Sequence, residues 1–418
     1  MEQPRPLSRI QEARALRSFI AASGLWGAWG QATGLGTAVF TGYALLLGGD
    51  ESFIALCTAA AYLIGVTQVI FPLLGPKLGD KKRFVVTIGI AEILLRGSIV
   101  MVPLLLAPAL YLGSLLGLIS LGLLCGYAIS PFHNAWVAST VPAHSRGRFT
   151  SRQTITSTFV AMVVGFGIGQ FIDLFGTDNR QMAFSWVFAI GTLFGLAGFL
   201  VLRRAPCPAS PPTQAQAYDF TRVLRPLADA NFRRAALFYG TWTFAVGIAG
   251  SLYSVFMIKR LNISYTEISI FNALFMVVSI VGYRMWAVLV DRFGGKSVLR
   301  LLLLPSALIP LVWIANEPGS YYLVPVALTL SGIILSGIAV SVTPLQYGLL
   351  PEGDEKPFYL AAWNASSSLL GALGPLCGAI LVRYLEPVQI AVGDLTIGNL
   401  QIVFAISAAL RLVPALLL

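Results

Sequence analysis

Long apolar runs, separated by short polar segments, restrict the fold of this chain of 418 residues more than any other feature. Each run is about as long as the roughly 20 residues that a helix needs to cross the hydrocarbon core of a bilayer. We therefore predict twelve transmembrane helices, called spans 1 to 12 in chain order. They cover residues 19–47, 52–74, 84–107, 110–140, 150–174, 182–202, 233–259, 266–290, 297–316, 320–348, 359–385 and 396–418.

The scarcity of charged residues agrees with this prediction. Charged residues make up 11% of the chain, whereas a soluble domain carries about 25% because its surface must face water. The outer surface must therefore face lipid, and the predicted class is an all-α membrane protein partnered by the lipid bilayer.

The positions of Lys and Arg predict the orientation in the membrane. Of the 28 such residues, 21 lie in the N-terminal tail, the loop between the halves and the alternate loops on the same side. Because positive residues collect on the cytoplasmic side, both termini are predicted to be cytoplasmic. This placement also accounts for the net charge of +10, so no nucleic-acid partner is expected.

Several kinds of site find no support in the sequence. The four cysteines lack the spacing of a zinc site or a disulfide framework, and the chain has only two histidines, so neither a metal site nor a cofactor is expected. The phosphate-binding pattern GxxxxGK[ST] does not occur, which argues against direct use of ATP. A membrane-embedded enzyme would need a clustered set of catalytic acids or histidines, and we expect no enzymatic activity.

The two halves of the chain show a weak internal repeat. Asp80 and Asp291, after spans 2 and 8, lie 211 residues apart, while spans 5 and 11 align at an offset of 209. Segment 203–232 is rich in proline and polar residues and is typical of a linker. We predict an N-terminal six-helix bundle in 1–202, a cytoplasmic linker in 203–232 and a C-terminal six-helix bundle in 233–418. Duplicated bundles of this kind are common in secondary transporters, which bind their substrate between the halves.

The loop after span 8 carries the sequence Asp-Arg-Phe-Gly-Gly-Lys at 291–296, and the loop after span 2 carries Asp-Lys-Lys-Arg at 80–83. The first pattern resembles the loop signature of the major facilitator superfamily, although Ala287 and Gly295 depart from it, and the resemblance covers the whole length of the chain. It implies twelve helices in two pseudo-symmetric bundles and a cytoplasmic gate latched by the loop aspartates; the alternative is an ordinary loop with a capping aspartate. The gate residues implied are Asp80, Lys81, Arg83, Arg146, Asp291, Arg292, Gly294 and Lys296.

A second resemblance is narrower. Asn134-Ala135-Trp136 and the stretch 146–149 are similar to the junction of spans 4 and 5 in a large bacterial subgroup of the superfamily. This resemblance implies the bacterial cytoplasmic (inner) membrane, but it supplies no substrate. In span 11, glycines 371, 374 and 378 favour close helix packing.

Ionisable residues inside spans are costly and are therefore functional candidates. Glu92 and Arg96 lie four residues apart in span 3 and can pair on one helix face, where a structural role competes with proton coupling. His133 can carry protons or simply pack, and Arg284 can snorkel or hold an anionic group. We take Glu92, Arg96, His133 and Arg284 as coupling candidates, and expect Arg411 to be an interfacial anchor.

Spans 1, 4, 7 and 10 of the superfamily line a central cavity, with spans 2 and 11 beside it. The positions here carry hydroxyls, amides and aromatic rings and no acid, which favours a neutral or amphipathic solute. The alternative is that these hydroxyls only bond within their own helices. The predicted cavity residues are Gln31, Thr33, Thr37, Gln68, Tyr127, Asn134, Tyr239, Trp242, Thr243, Ser336, Gln346 and Asn364.

These observations lead to one hypothesis and two alternatives. The hypothesis is a monomeric secondary transporter that moves a small organic solute by alternating access, with export favoured and a proton or another cation as the coupling ion. The alternatives are a facilitator or symporter for uptake, and a sensor or assembly partner that transports nothing.

Overall fold

The computed structural model describes residues 8–71, 80–141, 145–176, 178–207, 221–351, 355–392 and 395–418. Within these ranges, eleven helices are long and apolar enough to cross a membrane. The predicted all-α membrane fold is confirmed. A short hairpin, in which Ile390–Val392 pairs antiparallel with Leu395–Ile397, is the strand structure found between spans 11 and 12.

The helices of the first half follow the predicted spans closely. Span 1 comprises Arg9–Thr33 and Ala38–Leu46, and span 2 comprises Glu51–Val66 with the 3-10 turn Thr67–Val69. Span 3 is Lys81–Gly97, followed by a 3-10 turn Ser98–Met101 and a short helix Val102–Leu105. Spans 4, 5 and 6 are Tyr111–Thr140, Arg146–Leu174 and Arg180–Arg203.

The second half begins with a short helix Thr221–Leu224 and a 3-10 turn Arg225–Ala228, so the end of the predicted linker is ordered. Span 7 comprises Ala230–Gly250, Leu252–Val255 and the π-helical turn Phe256–Arg260. Spans 8, 10 and 11 are Tyr265–Phe293, Leu323–Tyr347 and Lys356–Tyr384. Span 9 divides into Gly295–Ser306 and Leu308–Ile314, and span 12 into Asn399–Leu410 and Val413–Leu417.

Span 1 is broken at its centre, where a single helix was predicted. Gly34 ends the first helix, and its N–H donates a hydrogen bond to the carbonyl of Gly30 at 2.8 Å. Gly36 then adopts a φ of +84°, a conformation that L side chains rarely take. Thr37 starts the second helix, because its hydroxyl accepts a hydrogen bond from the Phe40 N–H at 3.2 Å.

Residue contacts divide the chain into two compact units, and the first contains spans 1, 3, 4, 5 and 6. Its core is aromatic near the start of span 1, where the rings of Phe19 and Trp136 meet edge to face at 5.4 Å and those of Phe19 and Phe149 at 6.2 Å. Spans 1 and 5 approach closely because Gly27 lies against the backbone of Ser157. The small residue allows the two backbones to pack without an intervening side chain.

The second unit contains spans 7 to 12 and also residues 49–66, which form most of span 2. Span 2 precedes the linker in sequence but packs on span 11, where Gly371 faces the ring of Tyr62. Farther along span 11, Gly374 lies on the backbone of Phe244 and Gly378 on that of Ile248, both in span 7. The predicted boundaries of the two bundles stay a prediction, and residues 208–220 of the predicted linker lie outside the described residues.

Candidate functional site

A pocket of about 220 Å³ lies inside the first unit, between spans 1, 3, 4 and 6. Half of its eight lining residues carry an aromatic ring, and a carboxylate, a hydroxyl and an imidazole provide its polar groups. It is lined by Trp26, Trp29, Glu92, Gly126, Ile129, Ser130, His133 and Phe199.

The carboxylate in this pocket belongs to a buried ion pair. Glu92 Oε1 lies 3.7 Å from Arg96 Nη1, one helical turn later in span 3, and both side chains are about 10% exposed. Arg96 Nη2 also donates a hydrogen bond to the backbone carbonyl of Thr33 at 2.8 Å. The guanidinium carbon lies 4.3 Å from the centre of the Trp29 ring, within the range of a cation–π contact. Arg96 is therefore held by three different partners on two spans.

Span 4 leaves room for this pair by presenting two glycines to it. A Cβ added to Gly122 would lie 2.6 Å from Arg96 Cγ, and one added to Gly126 would lie 2.7 Å from Glu92 Oε1. Both distances are shorter than real Cβ atoms show, so larger residues would displace the pair. The spacing of four residues places both glycines on one face of the helix.

His133 lies on the same face of span 4, seven residues after Gly126 and therefore about 10 Å along the helix. Its ring contacts Phe19 and Trp26 edge to face, at 6.0 and 5.5 Å. Its Nε2 atom is buried and has no hydrogen-bond partner among the described residues. The pocket thus contains two of the predicted coupling residues, Glu92 and His133, and Arg96 borders it. Arg284 is exposed on span 8 of the second unit.

The predicted cavity residues of the first unit have varied environments. Gln68 Nε2 donates to Ser130 Oγ at 3.1 Å, so this amide reaches the hydroxyl that lines the pocket. Thr33 donates to the carbonyl of Trp29 at 3.0 Å, and Gln31 packs on Gly165 of span 5. Tyr127 is half-buried and Asn134 exposed, both on span 4.

In the second unit several predicted cavity residues bond within their own helix. Thr243 donates to the carbonyl of Gly240 at 2.9 Å, and Ser336 donates to that of Ile333 at 2.8 Å. The ring of Tyr239 stacks on that of Trp363 at 5.3 Å, while Trp242 is buried and Gln346 and Asn364 are partly or fully exposed. These bonds match the alternative that some hydroxyls serve helix packing, and the role of the set in binding solute stays a prediction.

The predicted gate residues begin and end helices. Asp80 caps span 3, since its carboxylate accepts the N–H of Arg83 at 2.9 Å. Gly294 ends span 8 with a φ of +81°, and its N–H donates to the carbonyl of Val290 at 2.8 Å. The latch itself stays a prediction. Asp291, Arg292 and Lys296 are exposed, Lys81 is half-buried, and the side chain of Arg146 lies outside the described residues.

Arg411 was expected at the membrane interface, and this expectation is wrong. The residue is 1% exposed, and its Nη1 donates to the carbonyl of Ser306 at 3.0 Å. That carbonyl would normally accept a bond from the residue four positions later, but Pro310 has no N–H. The proline in span 9 was the sequence signal for a buried donor from another span.

Comparison with known proteins finds a family match in the second half of the chain. Residues 235–418, which run from span 7 to the end of the chain, match the model of the Major Facilitator Superfamily. The second half of the chain therefore matches the major facilitator superfamily. This confirms the resemblance seen in the loop after span 8, whereas the bacterial subgroup stays a prediction. No curated protein matches the chain.

Solved structures show that the major facilitator fold extends over both halves. A point mutant of the nucleoside transporter NupG has a TM-score of 0.73 at 14% identity, covering 97% of this chain and 98% of that one. The D-xylose–proton symporter has a TM-score of 0.70 at 16% identity, with 98% and 97% covered. A bacterial homologue of the human lysosomal transporter Spinster has a TM-score of 0.69 at 14% identity, again with 98% and 97% covered. The fold is that of the major facilitators, which are generally not enzymes.

Proposed function

We propose that this major facilitator exports a small organic solute, neutral or amphipathic, by alternating access. The observation that carries this proposal is the first-unit pocket of about 220 Å³, in which half of the lining residues carry indole, phenyl or imidazole rings. Its one carboxylate is already paired with Arg96 at 3.7 Å, so the pocket offers little free charge. Such a lining suits a solute with apolar faces and few polar groups.

Proton coupling is the second part of the proposal. Glu92 and His133 line the same pocket; Glu92 lies against Gly126, which precedes His133 by about two helical turns of span 4. A carboxylate in an aromatic pocket can exist with or without a proton, and ionisable groups of this kind form proton relays in membrane transporters. Gln68 and Ser130 extend the polar groups of the pocket toward the end of span 2.

A flux assay tests the transport proposal. Purified full-length protein would be screened for thermal stabilisation against a library of neutral, cationic and anionic organic solutes, and each hit would be measured for flux in proteoliposomes. We expect flux for hits with aromatic or aliphatic faces and no net charge. Flux only for strongly charged solutes would contradict the proposed class, and a folded protein without any flux would favour the sensor or assembly partner.

A pH gradient tests the coupling. We expect an imposed gradient to drive accumulation of the solute in wild type, and the Glu92→Gln variant to abolish this drive while retaining exchange of solute down its own gradient. Glu386→Gln, the same chemical change at an exposed residue outside the pocket, is the matched control. Accumulation by Glu92→Gln equal to that of wild type would rule out Glu92 as the coupling residue.

A further inference from the structure

Two broken spans, one in each unit, share an unusual bond. In span 1, Arg96 Nη2 donates to the carbonyl of Thr33, the last residue before the break, at 2.8 Å. In span 9, Arg411 Nη1 donates to the carbonyl of Ser306, again the last residue of the first helical segment, at 3.0 Å. Each arginine comes from another span and is buried.

The breaks leave these carbonyls without their usual partners. The N–H of Thr37, which would bond Thr33 in a continuous helix, instead lies 3.2 Å from the carbonyl of Gly34. Ser306 would bond residue 310, which is a proline without an N–H. Within a bilayer an unbonded carbonyl is expensive, and the end of a helix carries partial negative charge that favours a cation. Both arginines therefore replace a missing backbone hydrogen bond.

The two arginines differ in their counter-charge. Arg96 has the carboxylate of Glu92 at 3.7 Å. In the part of the chain that the structure describes, no carboxylate forms an ion pair with Arg411. Its other contacts are the Tyr253 hydroxyl at 3.5 Å and the Trp242 ring at 5.9 Å.

We propose that Arg96 is a positioning residue that holds the break in span 1, and that protonation of Glu92 releases it. Arg411 holds span 9 in the same way but without a switch. A guanidinium cannot give up its proton, so a neutral Glu92 leaves Arg96 as a buried cation without a counter-ion. That state favours movement of the guanidinium toward water, away from Thr33. The break then loosens while span 9 keeps its bond.

The other groups around Glu92 do not provide a second counter-ion, so the proposed switch depends on the ion pair with Arg96. Span 4 contributes Cys125, whose thiol is electrostatically coupled to Glu92, and His133 in the same pocket. Spans 1 and 6 contribute Trp26, Trp29 and Phe199, which do not titrate in the ordinary pH range. The only cation paired with Glu92 among the described residues is Arg96.

Hydrogen exchange of the full-length protein in lipid nanodiscs tests the switch without any solute. Peptides covering residues 34–40 and 306–312 would be followed in wild type, Glu92→Gln, Arg96→Lys, Arg96→Ala and Arg411→Ala. A lost capping bond should speed exchange roughly tenfold. We expect this rise in 34–40 alone for Glu92→Gln and Arg96→Ala, a smaller rise for Arg96→Lys, and a rise in 306–312 alone for Arg411→Ala. In wild type, exchange in 34–40, corrected for its intrinsic pH dependence, should rise between pH 8 and pH 5, and Glu92→Gln should remove this dependence.

Three results would overturn the proposal. The first two are an unchanged exchange rate of peptide 34–40 in Glu92→Gln or in Arg96→Ala. The third is an equal rise in the exchange rates of both peptides in every variant, which would indicate general loosening of the protein. If Arg96→Ala does not fold, Arg96→Lys and Glu92→Gln still decide the outcome. Only the use of this switch during transport rests on the proposed function. If the exchange rates change as expected but the protein shows no flux, the proposed function is refuted and the switch is not.

Discussion

Lys259 Nζ lies 2.7 Å from Glu51 Oε1, and this ion pair joins the start of span 2 to the end of span 7 within the second unit. Beside it, Ser52 Oγ donates to the carbonyl of Ala379 in span 11 at 3.0 Å. A helix encoded before the linker is thus bonded to two helices encoded after it. These bonds add to the packing of span 2 on span 11, which groups residues 49–66 with the second unit.

Reversing either charge of this pair should weaken the attachment of span 2. The Lys259 side chain is 54% exposed and that of Glu51 15%, so we expect Lys259→Glu or Glu51→Lys to cost about 1 kcal/mol of unfolding free energy. The double variant, Lys259→Glu with Glu51→Lys, restores opposite charges and should recover most of the unfolding free energy that Lys259→Glu loses. The unfolding free energies of the three variants would be measured in mixed micelles with increasing SDS. A loss in the double variant equal to the sum of the two single losses would show that the pair contributes nothing.

Gly294→Ala should destabilise the turn between spans 8 and 9. Gly294 has a φ of +81° and a ψ of 148°, a backbone conformation nearly exclusive to glycine that costs an L residue about 1–3 kcal/mol, although open space surrounds the position. Gly117→Ala in span 4 also meets nothing within 4 Å but lies in a helix, so it should be neutral or stabilising. Melting temperatures in detergent would compare the two variants, and equal values would contradict the backbone explanation.

Gly374→Ala should disturb the packing of spans 7 and 11. The added methyl would collide with the backbone carbonyl of Phe244, which cannot rotate away as a side chain could. Overpacking of this kind costs about 1–3 kcal/mol. The control is Gly113→Ala, where a Cβ meets nothing within 4 Å. The same SDS unfolding measurement applies, and a Gly374→Ala variant as stable as its control would mean that the two helices can separate at little cost.

Trp136→Phe should release the beginning of the linker. The Trp136 Nε1–H donates to the carbonyl of Pro206 at 3.1 Å, next to the bond from Lys82 Nζ to the carbonyl of Ala205 at 2.7 Å. Phenylalanine keeps an aromatic ring but lacks the indole N–H that donates this bond. The start of the linker should then open more often, and trypsin should cleave after Arg204 several times faster. Trp186→Phe, at a tryptophan that is 52% exposed, is the matched control and should leave the cleavage rate unchanged. Identical digestion of both variants would show that this bond does not hold the linker.

Tyr321 should titrate above the usual tyrosine range. Its hydroxyl donates to Glu267 Oε1 at 2.9 Å, and this hydrogen bond raises the pKa of the phenol above its ordinary value of about 10. The unfolded chain then loses this proton first, so the bond stabilises the protein below about pH 10 and its contribution disappears as the pH rises through the folded pKa. Difference spectra between wild type and Tyr321→Phe would give the pKa, and Glu267→Gln should lower it. A titration at the ordinary pKa would contradict the bond.

The sequence determined the class and most of the spans, and its loop signature indicated the family that the second half matches, because local sequence patterns encode each of these. A run of about 20 apolar residues specifies a membrane helix wherever it occurs. The loop at 291–296 carries its signature in consecutive residues, and Glu92 and Arg96 are four apart on one helix. Their pairing at 3.7 Å needed no knowledge of the other helices.

Only the tertiary structure decided which residues of different helices contact one another. The partner of Glu51 lies 208 residues away, and the carbonyl that Arg411 bonds lies 105 residues away. No local pattern encodes such distances, since they depend on which helices pack side by side. For the same reason the sequence placed Arg411 at the interface, whereas packing against span 9 buries it beside the carbonyl that Pro310 leaves free. Hydropathy determined that the chain crosses the membrane, and the need to satisfy backbone groups without water determined where its buried charges lie.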